Sequence, residues 1–139
     1  MADPKLELLR RVPLFTQCQS EPLELIARLA DEVDVGDGYV LMRQGDIAQE
    51  FFMIVDGRVR IERDGKTLKT LGSGDYLGEV ALLSESPRTA TAITEGPTKL
   101  LVITHQGFNS LLDSSSTIRA AIFEGVAAYL RHLVPDSAG

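Results

Sequence analysis

The sequence predicts a mainly β domain, a sandwich or jelly roll, with a helical segment at each end. Three observations carry that prediction. Between Asp31 and Thr104 apolar residues come in short runs or at every second position, as strands with buried faces require. Turn-forming pairs punctuate the runs at close spacing: Gly45-Asp46, Asp56-Gly57, Asp64-Gly65 and Gly96-Pro97. On either side of this region the apolar residues recur at helical spacing instead.

The elements follow in order. Leu6, Leu8, Leu9 and Val12 give a short helical face that Pro13 ends. Ser20 is an N-cap residue for a second helix, with Pro22 in its first turn and Leu23, Ile26, Ala27 and Ala30 along one side. From Asp31 the period changes: Val33 and Val35 alternate with acids, and Tyr39 to Met42 makes another short strand. Phe51 to Val55 is a continuous apolar run that Asp56-Gly57 closes as a turn. Arg58 to Arg63 alternates, Val59 and Ile61 facing one way and Arg60 and Glu62 the other. Asp64-Gly65 is a hairpin signal leading into Thr67 to Leu71. Thr89 to Thr94 and Leu100 to Thr104 complete the strands, separated by Gly96-Pro97. Phe108, Leu111 and Leu112 return to helical spacing, and Ser114 to Ser116 caps a longer helix carrying Ile118, Ile122, Val126, Leu130 and Leu133.

Composition narrows the function. A chain of 139 residues with 44% hydrophobic content supports one domain with an ordinary core. Its net charge of −6, with acids and bases interspersed, offers no basic stripe for nucleic acid. The single cysteine, Cys18, excludes an internal disulfide framework and a four-cysteine metal site. The two histidines, His105 and His132, stand apart from any carboxylate cluster, so a jelly-roll metal enzyme has no ligand set. Ser84, Ser86 and Thr91 have no neighbouring base, and no catalytic residues are assigned. Met1 to Lys5 is not a signal peptide, and no apolar stretch approaches the ~20 residues that span a bilayer. A cytoplasmic setting without a membrane segment is the expectation.

One stretch carries chemistry. Leu77-Gly78-Glu79-Val80-Ala81-Leu82 is followed after a short gap by Pro87-Arg88-Thr89-Ala90-Thr91. A glycine lets backbone approach a ligand closely, and the free N–H groups of a helical turn after it point at an anion. A carboxylate at Glu79 accepts hydrogen bonds from a sugar hydroxyl, and Arg88 offers a planar fork to phosphate oxygens. Taken singly, Glu79 reads as an acid in the first turn of a helix and Arg88 as its ion-pair partner. Taken together they describe a phosphosugar site.

This segment closely resembles the phosphate-binding cassette of cyclic nucleotide-binding domains, in which aliphatic-Gly-Glu-x-small-aliphatic precedes Arg-Ser/Thr-Ala-x-aliphatic. Leu77 to Leu82 and Arg88 to Ile93, with Ala92 between Thr91 and Ile93, fill every slot. A second signature of the family, its glycine-framed hairpin, matches Gly45-Asp46-x-Ala48-x-x-Phe51-Phe52-Met53-Ile54-x-x-Gly57. Met42 departs from the smaller aliphatic residue usual at its slot, a matter of packing. The resemblance runs from about Val12 to the carboxyl end. It implies a single domain over residues 1–139: an N-terminal helical segment 1–30, an eight-stranded antiparallel β-roll or jelly roll 31–104 with its cassette at 77–91, and C-terminal lid helices 105–134.

The resemblance also implies a ligand, cAMP before cGMP, and no cofactor. Gly78, Glu79, Val80, Ala81 and Leu82 line the phosphate and ribose side with Pro87, Arg88, Thr89 and Ala90. Ala81 and Ala90 are small where bulk would block a phosphate, or small for packing alone. Ile61 and Leu68 match the apolar walls around the purine, although their period marks them as core in any case. Thr89 stands where a threonine in relatives can reach the exocyclic amine of a syn guanine, which tilts towards accepting cGMP, yet some cAMP-preferring members carry it too. In the lid, Tyr129 and Arg131 are able to stack on a base, or lie on a solvated face beside Leu130. The function implied is a sensor that relays nucleotide capture through its last helix to an unidentified effector, as a monomer or as a homodimer through that helix. Two other readings stand beside it: a degenerate domain used for docking, and the sensor fragment of a transcription regulator, kinase, acyltransferase or channel.

Overall fold

A computed structural model describes residues 4–10, 20–78, 87–114, 116 and 119–120. Two short helices, α1 (Pro4–Arg10) and α2 (Ser20–Leu29), lead into six strands. These are β1 (Asp31–Val35), β2 (Val40–Met42), β3 (Glu50–Arg63), β4 (Lys66–Leu71), β5 (Tyr76–Leu77) and β6 (Thr91–Thr104), and α3 (His105–Ser114) follows. All pairings are antiparallel, and β3 and β6 form the spine. Beyond β6 lie β1 and β2, and beyond β3 lie β4 and β5.

The expected eight strands become six among the described residues. The correction has a specific cause. Asp56-Gly57 does not end a strand: β3 continues through it, and β6 continues through Gly96-Pro97 opposite. The register jumps there, with Asp56 opposite Lys99 and Arg58 opposite Glu95, so β6 bulges across from Gly57. What reads locally as two turns is one bend in a continuous ladder.

That bend also changes which residues face the roll. Before it, Phe51, Met53 and Val55 pack with Leu101, Ile103, the α2 residues Leu23 and Ile26, and the α3 residues Phe108 and Leu111. Phe52 and Ile54 point the other way, into the roll, where Val59, Ile61, Leu77, Ala90, Ala92, Leu100 and Val102 join them. Even-numbered residues face the roll before Gly57 and odd-numbered ones after it, the phase shift of an irregular step. Both faces of the Phe51–Val55 run are therefore buried, so it shows no alternation.

The helices are tied down by simple devices. Thr104 accepts the Gly107 N–H on its hydroxyl at 3.0 Å, an N-cap for α3. Lys5 donates to the carbonyls of Ala27 and Ala30 at 3.2 and 2.9 Å, placing a cation at the C-terminus of α2. Phe51 and Phe108 stack at 5.2 Å between ring centres, joining α3 to the sheet.

Two ionic clusters sit outside these cores. Arg60 is hydrogen-bonded to Glu62 at 2.6 Å and to Glu95 at 3.2 Å, and these bonds raise its pKa above the ordinary value. Lys99 meets Glu32 at 2.8 Å and Asp34 at 3.8 Å, with the Glu32 hydrogen bond as the main cause of its raised pKa. Both cations therefore stay charged across neutral pH.

Thr94 organises the β1–β2 connection. It is 1% exposed, its hydroxyl donates to the Gly36 carbonyl at 2.6 Å, and it accepts the Tyr39 N–H at 2.8 Å. Thr94→Val keeps the shape and strands both partners. The expected cost is about 1–3 kcal/mol, read as a lower thermal midpoint; an unchanged midpoint would mean water replaces the hydroxyl.

Candidate functional site

Arg88 precedes β6 on a short connection whose backbone is pinned to the Gly45-Asp46 turn. Its N–H donates to the Asp46 carbonyl at 2.8 Å, and its carbonyl accepts the Gly45 N–H at 2.9 Å. Pro87 forms an isolated bridge with Ile47. The two sequence signatures, separated by some forty residues of chain, thus meet through main-chain bonds.

The side chain is buried, only 5% exposed. A buried guanidinium requires partners. Nη2 donates to the Glu50 carbonyl at 2.6 Å and Nη1 to the Gly78 carbonyl at 3.0 Å. The guanidinium carbon also lies 5.9 Å from the centre of the Phe52 ring, within cation–π reach. These contacts fix a cation at the end of the roll, held in part by two main-chain carbonyl dipoles and an aromatic face.

Gly78 explains its own identity here. Its φ is +97°, a backbone conformation that disfavours side chains. A Cβ on it would stand 2.7 Å from Arg88 Nη1 and 2.9 Å from the Glu50 carbonyl oxygen. The sequence suggests a glycine for close approach of a ligand; in the fold, the Arg88 guanidinium and the Glu50 carbonyl also come too close for a side chain.

The other expected residues divide into three groups. Ala90 and Ile61 are buried together in the roll interior, 4% and 6% exposed. Thr89 and Pro87 are exposed beside the arginine. Leu68 is also exposed: β4 holds an extra residue where the register slips between Ile61–Lys69 and Glu62–Thr67, and Leu68 is that residue. Glu79, Val80, Ala81, Leu82, Tyr129 and Arg131 lie outside the described residues.

Among the described residues, two contributors carried no sequence signal as site residues, the Glu50 carbonyl and the Phe52 ring. Phe52 reads as core, and a main-chain acceptor is common to every residue. An open cleft of about 480 Å³ borders Arg88 and is lined in part by Leu41, Met42, Asp46, Ile47 and Glu50. A comparable groove near Leu8, Val55 and Lys99 is lined by none of the described cassette residues. Among the described residues no helix is long and apolar enough to cross a membrane.

Residues 32–115 match the family model for the cyclic nucleotide-binding domain. The chain is 35% identical over 109 residues to a cAMP-dependent protein kinase regulatory subunit of Schizosaccharomyces pombe, covering 78% of this chain and 26% of that protein. It is 28% identical over 121 residues to a cGMP-dependent protein kinase of Caenorhabditis briggsae, covering 82% of this chain and 16% of that one. The chain thus spans about a quarter or less of the length of these relatives. The Thermus thermophilus catabolite activator protein superposes with a TM-score of 0.81 at 27% identity, over 91% of this chain and 62% of that one. Matched over most of its length and folded as its relatives are, the chain belongs to the cyclic nucleotide-binding domain family.

Proposed function

We propose that this chain binds a 3′,5′-cyclic mononucleotide, cAMP in preference to cGMP, and relays that event through its C-terminal segment to an effector. The observation that carries the reading is Arg88: a nearly buried guanidinium held by the Glu50 and Gly78 carbonyls inside the cassette. A cyclic phosphate bears one negative charge, which one guanidinium and nearby N–H donors match. A triphosphate asks for a lysine loop and a metal ion as well. Glu79 is assigned to the ribose hydroxyl and the exposed Leu68 to the purine.

The preference for cAMP leans on the S. pombe relative, named cAMP-dependent, over the less identical cGMP-dependent one. In this reading the domain is regulatory and not catalytic, acts in the cytoplasm, and passes its signal to a kinase catalytic subunit or another effector.

A thermal-shift titration with cAMP, cGMP and 5′-AMP tests it. Ligand at ~100 times its dissociation constant adds about 2.7 kcal/mol. For a domain of this size the midpoint then rises on the order of 10 °C. The cyclic nucleotides are expected to raise it, cAMP at lower concentration, and 5′-AMP to leave it unchanged. Protein first unfolded and refolded free of small molecules that responds to none of the three would sink the reading.

A further inference from the structure

The tip of the β3–β4 hairpin reaches the connection that carries Arg88. Asp64 and Gly65 form that tip with φ of +54° and +77°, the positive pair of a tight hairpin turn that Asp-Gly favours. Gln44 reads the tip with both ends of its amide. Its Nε2 donates to Asp64 Oδ1 at 3.0 Å, and its Oε1 accepts the Asp64 N–H at 3.0 Å. The Gln44 backbone N–H in turn donates to the Thr91 hydroxyl at 3.0 Å. Next to Asp64, Arg63 Nε donates to the Thr89 carbonyl at 2.9 Å.

These four bonds tie the residues that directly follow Arg88 to the hairpin tip, and none of them involves its guanidinium. Thr89 and Thr91 are held toward the hairpin tip, and Arg88 itself is paired with Gly45 and Asp46, which directly follow Gln44. The bonds are exposed, so they add little to global stability. Their effect falls on where the connection stands. A guanidinium discriminates between phosphate oxygens only if its plane is fixed.

We propose that Gln44 and Arg63 are positioning residues for phosphate recognition, clamping the Arg88–Thr91 connection to the Asp64-Gly65 hairpin tip so that the Arg88 guanidinium presents a fixed plane to the ligand. This rests on the nucleotide reading above and adds to it a second layer that the cassette itself does not contain.

The probes are the Sp and Rp diastereomers of adenosine 3′,5′-cyclic phosphorothioate, each with sulfur in place of one exocyclic phosphate oxygen. Titration calorimetry gives the affinity ratio between them, which reports guanidinium orientation and not mere folding. The wild-type chain is expected to discriminate. Gln44→Ala and Arg63→Met should each shrink the ratio at least threefold, with the unliganded melting midpoint within a few degrees of wild type. Asp64→Asn, which keeps both the side-chain acceptor and the turn preference, should keep the wild-type ratio.

Equal weakening of both diastereomers in Gln44→Ala and Arg63→Met, or no change in either, would overturn the clamp while leaving the nucleotide site intact. A wild-type chain that binds both diastereomers equally would also overturn it. A wild-type chain that binds neither, nor cAMP, removes the functional reading and the clamp together.

Discussion

Arg88→Leu is expected to abolish the rise in melting midpoint with cyclic nucleotide and to lower the midpoint of the unliganded protein as well. Hydrogen bonds to a charged group are worth about 1.5–3 kcal/mol each. Losing two of them to phosphate oxygens weakens binding at least ~100-fold, since each 1.4 kcal/mol is a factor of ten. The structural loss has a separate cause. Leucine gives no donor to the Glu50 and Gly78 carbonyls, which Arg88 now meets at 2.6 and 3.0 Å. Losing a partner at buried acceptors costs about 1–3 kcal/mol.

The two effects separate in one experiment, because ligand response and unliganded midpoint are read from the same melting curves. Arg88→Lys sharpens the comparison: it keeps a charge but loses the planar fork, so its ligand response should fall between leucine and wild type. A full response in Arg88→Leu would place the phosphate elsewhere.

The second large effect is Gly57→Ala. Gly57 has φ +114°, and a Cβ there would lie 2.7 Å from Thr98 Oγ1, 2.9 Å from the Pro97 carbonyl oxygen and 2.9 Å from Thr98 Cα. Two of the three are main-chain atoms that cannot swing aside. The third belongs to a threonine 3% exposed whose hydroxyl already donates to the Gly96 carbonyl at 3.1 Å. Backbone strain of about 1–3 kcal/mol and overpacking of about 1–3 kcal/mol together suggest roughly 4 kcal/mol. At this chain length that is a fall in midpoint on the order of 10–15 °C.

Gly38→Ala is the control. Its φ is +72° and nothing lies within 4 Å of the new methyl group, so only the backbone contribution remains. Equal falls for the two variants would show that β6 yields at its bulge and that the crossing is not tight.

Gly57 also shows what could be read in advance. As a glycine in a turn-forming pair it was legible, and so was the apolar run before it. Its role was not, because the partner it nearly touches is forty residues away, in the bulge of β6. The same holds at the candidate site. Gly78 and Arg88 stood out as a filled pattern, with Pro87 and Thr89 beside them. The carbonyl of Glu50 and the ring of Phe52 could not, since one is common to all residues and the other is also ordinary core. Leu68 was misleading for the opposite reason: its period fits a buried strand position, and a slipped register in β4 leaves it outside.

The sequence by itself determined what depends on neighbours along the chain: the helical ends, the strand periods, the glycine turns and the order of the cassette residues. Rotamers, turn angles and side-chain alternation are properties of a few consecutive residues, so their pattern is written locally. Only the tertiary structure decided that two pairs of short strands are two long ones, that the step at Gly57 shifts which residues face the roll from even to odd numbers, and that Arg88 is gripped by the carbonyls of Glu50 and Gly78. Those outcomes come from main-chain pairing between distant segments, and main-chain donors and acceptors are the same at nearly every position.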